Sequence, residues 1–371
     1  MNKMKILHVI NNLGSGGAEK LIQELVPLLN QQEGVLVDVL LLNDNNNVFD
    51  KELKNHGIKI DVVPFRNRNH PLNISYIRKY IIKGNYDIVH AHLFPTIYWV
   101  AIASKLILKH KPKFVMTEHS TYNKRRKKSY FRYIEKFIYS SYDKIISISQ
   151  QTHNNLISWI QPKNKLDRFI IIQNGIVVEK FKNALPYKKS DICKEFTEDV
   201  RLICMAGRFS KSKDQQTLIR AMQYLPENVH LLLVGEGPLK KENIKLTKQV
   251  KVENRVHFLG FRNDMERILK TVDIVVLSSN WEGFGLAAVE GMAAGKPVIA
   301  SDVAGLRENV KGAGILFQKG NDKELSEIIK KLFVNKNKYE TVSQLCLERA
   351  NDFTIEKMVN ELMTLYNNIL R

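Results

Sequence analysis

Two carboxylates eight residues apart, Glu282 and Glu290, stand in the run Ser278-Ser279-Asn280-Trp281-Glu282-Gly283-Phe284-Gly285-Leu286-Ala287-Ala288-Val289-Glu290. An ionised carboxylate only accepts hydrogen bonds, so a spaced pair suits a ligand rich in hydroxyls, such as a sugar or a ribose. Glycines at 283 and 285 let the backbone come close to a ligand. The N–H groups of Phe284, Gly285 and Leu286 fall where a helical run begins, and free donors at a helix start attract phosphate or sugar oxygens. Acids near a helix start also complement its dipole, which would account for Glu282 without any ligand. It would not account for Glu290, which lies among Ala287, Ala288, Val289, Met292 and Ala293, where an unpaired carboxylate is costly.

Two cations five residues apart, Arg208 and Lys213, follow Met205-Ala206-Gly207. A guanidinium fork and an ammonium point charge can clamp a diphosphate and neutralise charge growing on a departing nucleotide. In a chain with 57 lysines and arginines, the same pair also fits a loop that is merely basic. Near the start, Gly14-Ser15-Gly16-Gly17-Ala18-Glu19 precedes the amphipathic run Leu21, Ile22, Leu25, Leu28 and Leu29. A glycine turn at a helix start can cradle an anion or serve as a plain tight turn. It is neither a dinucleotide fingerprint, since Glu19 stands where the third glycine belongs, nor a P-loop, since no Gly-Lys-Ser/Thr follows.

These loops need strands to aim them. Short apolar runs alternate with helical stretches, the pattern of parallel sheets wound with helices. The first series is Lys5 to Ile10, Leu36 to Leu42, Ile58 to Val63, Asp87 to His90, Phe114 to Thr117, Lys144 to Ile148 and Phe169 to Ile172. A second runs Arg201 to Met205, Val229 to Val234, Val256 to Leu259, Asp273 to Leu277, Pro297 to Ala300 and Ile315 to Phe317. The 371 residues exceed what one core usually supports, which favours two domains. The reading is an α/β chain of two Rossmann-like, doubly wound lobes, 1–180 and 199–353, joined by a polar linker at 181–198. The final amphipathic segment, Met358, Leu362, Leu365, Tyr366 and Ile369, reads as a helix within 354–371.

Three scattered cysteines, Cys193, Cys204 and Cys346, form no disulfide or zinc pattern and fit a reducing cytosol. The apolar stretch Ile6 to Ile10 is too short for a signal-peptide core, and Ile97 to Leu108, broken by Lys105, is too short to span a bilayer. The net charge of +19 asks for an acidic partner. Between Lys105 and Lys136, basic residues including Lys124, Arg125, Arg126, Lys127 and Lys128 interleave with Tyr122, Tyr130, Phe131, Tyr133 and Phe137. That mixture suits a surface resting on anionic headgroups, and equally a solvated basic face. No helix-turn-helix, RRM or zinc pattern supports a nucleic-acid partner.

Taken in order, Gly-Gly-Ala-Glu near the start, His90 and His92, His119, Gly207-Arg208 with Lys213, Val234-Gly235-Glu236-Gly237-Pro238, Phe258-Leu259-Gly260, the Glu-x7-Glu pair and Gly295-Lys296-Pro297-Val298 resemble the family 4 glycosyltransferases. These are retaining enzymes of the GT-B fold, with two Rossmann-like lobes flanking an interdomain cleft. The resemblance implies that Arg208 and Lys213 hold the donor diphosphate, Glu282 the hydroxyls of the transferred sugar and Glu290 the ribose. Gly16 and Gly17 would approach the donor phosphate, and His119 would lie beside the transferred sugar. It implies a UDP- or GDP-sugar as substrate with no metal or cofactor, and a last helix that returns to the first lobe. The acceptor expected from the basic, aromatic surface is a glycan or a polyprenyl-diphosphate-linked sugar at the inner membrane face. Glu118, the acid nearest His119, is not read as a nucleophile, and one of His90 and His92 is expected to pack inside. Asp214, Val177 and Ala304-Gly305 depart from the family pattern without removing an implied ligand. A sugar-nucleotide epimerase and a noncatalytic sugar-nucleotide-binding protein are the competing readings.

Overall fold

The computed structural model describes residues 3–121, 123–162 and 165–371. Tyr122 of the basic, aromatic run and the side chain of Lys124 lie outside the described residues. The chain forms two compact units, residues 1–175 with 355–371, and residues 176–354.

The first unit holds a seven-stranded sheet in the order β3-β2-β1-β4-β5-β6-β7, built from β1 (Met4–Ile10), β2 (Val35–Leu41), β3 (Lys59–Val62), β4 (Ile88–His92), β5 (Lys113–Glu118), β6 (Lys144–Ser147) and β7 (Phe169–Ile171). Every pairing is parallel. All seven strands expected from the sequence form. β4 runs two residues beyond the expected end because its register with β5 continues to His92 opposite Thr117. The order reverses direction at β1, which has β2 on one side and β4 on the other. Beyond the carboxyl ends of strands at such a reversal, the following loops part and leave a crevice for ligand. The last helix, Ile355–Leu370, belongs to this unit and packs against the helix Gly17–Asn30 that follows β1. Ile355, Leu362 and Tyr366 on its inner face are fully buried.

The second unit repeats the plan with six parallel strands in the order β10-β9-β8-β11-β12-β13. They are β8 (Arg201–Ala206), β9 (Val229–Val234), β10 (Val256–Gly260), β11 (Ile274–Leu277), β12 (Val298–Ser301) and β13 (Ile315–Phe317). β11 and β12 are buried at every position, as near-continuous apolar strands covered on both faces should be. Here the order reverses at β8, between β9 and β11. The stretch 181–198 lies in this unit, where Phe181 and Phe196 are buried.

Candidate active site

In the second unit the loops leaving β8 and β11, the two strands at the reversal, are bound to each other by a series of short hydrogen bonds. Asn280 N–H donates to the Ser212 carbonyl (2.8 Å), Asn280 Nδ2 to the Lys211 carbonyl (2.8 Å) and Ser278 Oγ to the Asp214 carbonyl (2.7 Å). This lacing brings Lys213 and Glu282, 69 positions apart in sequence, together at 2.5 Å from Nζ to Oε1. Ser279 Oγ donates to the same carboxylate oxygen at 2.7 Å. Side-chain exposures of 22% for Lys213 and 10% for Glu282 leave the pair reachable but poorly hydrated, so each charge acts on a neighbour more strongly than it would in water. Arg208 is exposed, and its guanidinium makes no ion pair or hydrogen bond among the described residues. Its backbone is held instead, with Gln215 Nε2 donating to the Arg208 carbonyl at 3.1 Å.

The Glu282 loop rests on a glycine: a Cβ on Gly305 would sit 2.6 Å from the Glu282 carbonyl oxygen, so only glycine lets the 304–310 helix approach this closely. Gly285 has a left-handed backbone (φ +87°) and caps the helix Leu286–Ala293. Phe284 is buried edge-on against Phe353, and its carbonyl accepts from Asn309 Nδ2 at 2.6 Å. Gly285 is buried and Leu286 half-buried, and Glu290 is buried on the same helix. The expected donor-binding residues of this half therefore share two adjoining loops and one helix.

In the first unit, Gly16 is the N-cap and Gly17 the first residue of the helix after β1, with no side chain capping the turn. His119 follows the last residue of β5 and is partly exposed. It belongs to a connected set of rings: His119 Nε2 lies 3.1 Å from His92 Nδ1, and His92 Nε2 lies 3.0 Å from His8 Nδ1. His90 is held on both sides, by Tyr366 Oη at Nδ1 and Thr117 Oγ1 at Nε2, each at 2.7 Å. Burial lowers every one of these imidazoles, His8 to about 3 and His119 to about 4, with His90 and His92 well below the usual range. All four are neutral at physiological pH. Both His90 and His92 pack inside, where one was expected to.

Nitrogens of His8, His90 and His92 lie within 4.8 Å of one another, a spacing that metal ligands can adopt. Both nitrogens of His90 and of His92 are already hydrogen-bonded, so a cation there would have to displace those bonds. Glu118 is buried and faces Arg126, whose Nη2 donates to Oε2 at 2.8 Å, with Ser120 N–H on the other oxygen at 3.3 Å. Burial raises its pKa, an effect Arg126 partly offsets.

His8, Thr117, Ser279 and Tyr366 were not read from sequence as parts of a site. Of these, His8 carries a usable signal, a polar ring in the otherwise apolar run Ile6-Leu7-His8-Val9-Ile10, which must find a partner once buried.

Two doubly wound parallel sheets, each with its polar loops at the carboxyl ends beside the strand-order reversal, define the GT-B class. Solved structures with the same fold include Anabaena HepE crystallised with UDP-glucose (TM-score 0.85, 24% identity, covering 98% of this chain and 100% of that one) and the glycosyltransferase WaaG of lipopolysaccharide biosynthesis (TM-score 0.76, 15% identity, 97% and 99%). Residues 15–180 match the family model Glycosyltransferase Family 4, and residues 189–345 match Glycosyl transferases group 1. The chain belongs to this family and is a glycosyltransferase. Similar proteins include the Escherichia coli UDP-Gal:alpha-D-GlcNAc-diphosphoundecaprenol alpha-1,3-galactosyltransferase, 27% identical over 98% of this chain and 97% of the relative. The Bacillus anthracis N-acetyl-alpha-D-glucosaminyl L-malate synthase is 26% identical over 78% and 76%.

Proposed function

We propose that the chain transfers a hexose or N-acetylhexosamine, with retention of configuration and without a metal, from a UDP- or GDP-sugar to a glycan or polyprenyl-diphosphate-linked acceptor. The observation that carries the donor half is the bonded Lys213–Glu282 pair, with Arg208 in the same loop as Lys213 and its guanidinium without a partner among the described residues, at the strand-order reversal of the second unit. Arg208 and Lys213 neutralise the charge that grows on the departing diphosphate, the part a divalent cation plays elsewhere. Glu282 and the N–H groups of Phe284, Gly285 and Leu286 hold the transferred sugar, Glu290 holds the ribose, and Gly16 and Gly17 admit the donor phosphate to the first lobe. His119 lies beside the reacting sugar. Glu118, turned inward to Arg126, is not assigned as a covalent nucleophile, and the acceptor attacks the face the nucleotide leaves.

A UDP donor and a lipid-linked acceptor are supported by the galactosyltransferase relative, whose name carries both. A thermal-shift panel of UDP, GDP, ADP and their sugar conjugates tests the donor, because a ligand that binds only the folded chain raises its melting temperature. The expected result is a shift of several degrees with UDP compounds that is lost in Glu290→Ala. No shift with any nucleotide overturns the reading.

The site of action is the cytoplasmic face of the membrane, in surface polysaccharide, capsule or lipopolysaccharide assembly. Among the described residues no helix is long and apolar enough to cross a membrane. The helix Tyr130–Tyr139 instead presents Tyr130, Tyr133, Ile134 and Phe137 to solvent, Tyr133 at 75% exposure, with Lys105 over the Phe137 ring at 4.2 Å and Lys128 over Tyr130 at 5.9 Å. Exposed aromatics carrying cations suit a headgroup layer, where the ring is buried and the charge meets phosphate. The protein is expected to co-sediment with vesicles containing 30% phosphatidylglycerol, roughly the anionic content that a polybasic patch senses, and to be released by salt. Tyr133→Ser with Phe137→Ser is expected to lower binding about tenfold, on the order of 1.4 kcal/mol. Unchanged partitioning of that variant overturns the membrane face.

A further inference from the structure

Each hydrogen bond between two neutral imidazoles needs one ring to donate and the other to accept, so a bonded run of rings has coupled tautomers. Here the run is His8, His92 and His119, and each link joins an Nδ1 to an Nε2. If His8 carries its proton on Nδ1, it donates to His92 Nε2. His92 must then donate from Nδ1 to His119 Nε2, and His119 keeps its own proton on Nδ1. If His8 carries its proton on Nε2, all three rings reverse. No mixed arrangement satisfies both links.

We propose that His8 and His92 are positioning residues that fix the tautomer of His119, so that His119 presents its Nδ1–H as a hydrogen-bond donor to an oxygen of the bound sugar. The inference rests on the reading of His119 given above as the residue beside that sugar. The direction follows from the buried end. His8 is fully buried, and its Nε2 has no hydrogen-bond partner among the described residues. The reversed state would strand an N–H there without an acceptor, whereas the proposed state leaves only a lone pair; stranded buried donors are the rarer and costlier of the two. The outer end is the only one open to a ligand, since His119 is partly exposed and its Nδ1 makes no hydrogen bond among the described residues. Burial keeps all three rings uncharged, which a relay of single donors and single acceptors requires.

His90 touches this run without joining it. Its ring centre lies 4.2 Å from that of His92 and 5.1 Å from that of His8, while its nitrogens are occupied by Thr117 and Tyr366. Tyr366 thereby ties the C-terminal helix to His90, the ring packed beside the relay.

The full-length protein, labelled with ¹⁵N in its histidines and free of ligand, tests the proposal by long-range ¹⁵N–¹H correlation at neutral pH. The expected result is an Nδ1–H tautomer at His8, His92 and His119 alike. Different tautomers within the trio, or Nε2–H in all three, overturn it. In His8→Leu, two rings away from His119, the His119 signals are expected to become those of a tautomer mixture. Turnover should then fall by about tenfold with little change in donor KM, the low end of what outer partners of a functional histidine contribute. His8→Asn, which keeps an N–H donor where Nδ1 stood, is expected to restore the single His119 tautomer and most of the lost rate. A His119 spectrum indifferent to His8→Leu overturns the proposal. Should His8→Leu fail to fold, the wild-type spectrum decides alone. Because the tautomers are read without substrate, a chain that shows the shared tautomer but transfers no sugar would sink the functional reading and not the relay.

Discussion

Glu282→Ala is expected to lower the transfer rate by about 10²- to 10³-fold, the range seen when one preorganised hydrogen-bonding group is removed from a reacting centre. The effect should fall mainly on kcat, because the hydroxyls of the transferred sugar shift as its ring flattens toward an oxocarbenium ion, and contacts that strengthen there are lost from the transition state first. The loop itself should survive. Its lacing runs through Asn280, Ser278 and Ser212, and its seat against Gly305 uses the Glu282 carbonyl, none of which the substitution removes. Melting temperature is therefore expected to stay within a few degrees of wild type, as for a partly exposed side chain outside the core. Arg208→Ala and Lys213→Ala should behave differently from one another. The Arg208 guanidinium has no partner among the described residues to lose, so its loss should appear in donor binding and turnover alone. Removing Lys213 also takes the cation 2.5 Å from Glu282, leaving a poorly hydrated carboxylate without its counter-charge. Steady-state kinetics with a sugar-nucleotide donor checks all three, and near-normal rates in all three would remove the proposed donor site.

The framework of the fold was legible because it is written in local pattern. Apolar runs such as Leu231 to Val234 and Ile274 to Leu277 are buried at every position, and nothing polar interrupts them to blur their ends. The least legible strand end was that of β4. His90 and His92 look like the polar close of a strand, but they are interior residues whose partners, His8, Thr117, His119 and Tyr366, come from two other strands or their ends and from the last helix. No window of sequence contains those pairings. The same holds for Glu282. Its spacing from Glu290 could be read, whereas its bond to Lys213 depends on two loops meeting at the reversal of strand order. Local spacing names the groups that can do chemistry, and sheet topology decides which of them meet.

The buried histidines should also make the first lobe unusually sensitive to mild acid. In the folded chain His8 titrates at about 3, His119 at about 4 and His90 and His92 well below their usual value, because burial disfavours the charged ring. In the unfolded chain each titrates near 6.5, so below that pH the unfolded state binds protons that the folded state refuses. The stability these rings contribute is fully present above about pH 6.5 and is lost as pH falls through the window toward their folded values. Each ring costs about 1.4 kcal/mol per pH unit in that window, so four of them remove on the order of 6–8 kcal/mol between pH 6.5 and pH 5. That is a large share of the 5–15 kcal/mol by which a domain is typically stable. Glu118 acts in the opposite sense, since its raised pKa lets the folded state take up a proton early, but it is one group against four. Calorimetry at pH 7.5 and pH 5 is expected to show the first lobe melting well over ten degrees lower at the acid pH, using the few degrees per kcal/mol usual for a lobe of this size. His8→Asn, which removes one of the four titrating rings and leaves a donor in its place, should shrink that difference by about a quarter. An equal melting temperature at the two pH values would mean that the folded lobe admits the protons, and the neutral, bonded run of rings would then be the wrong description of its core.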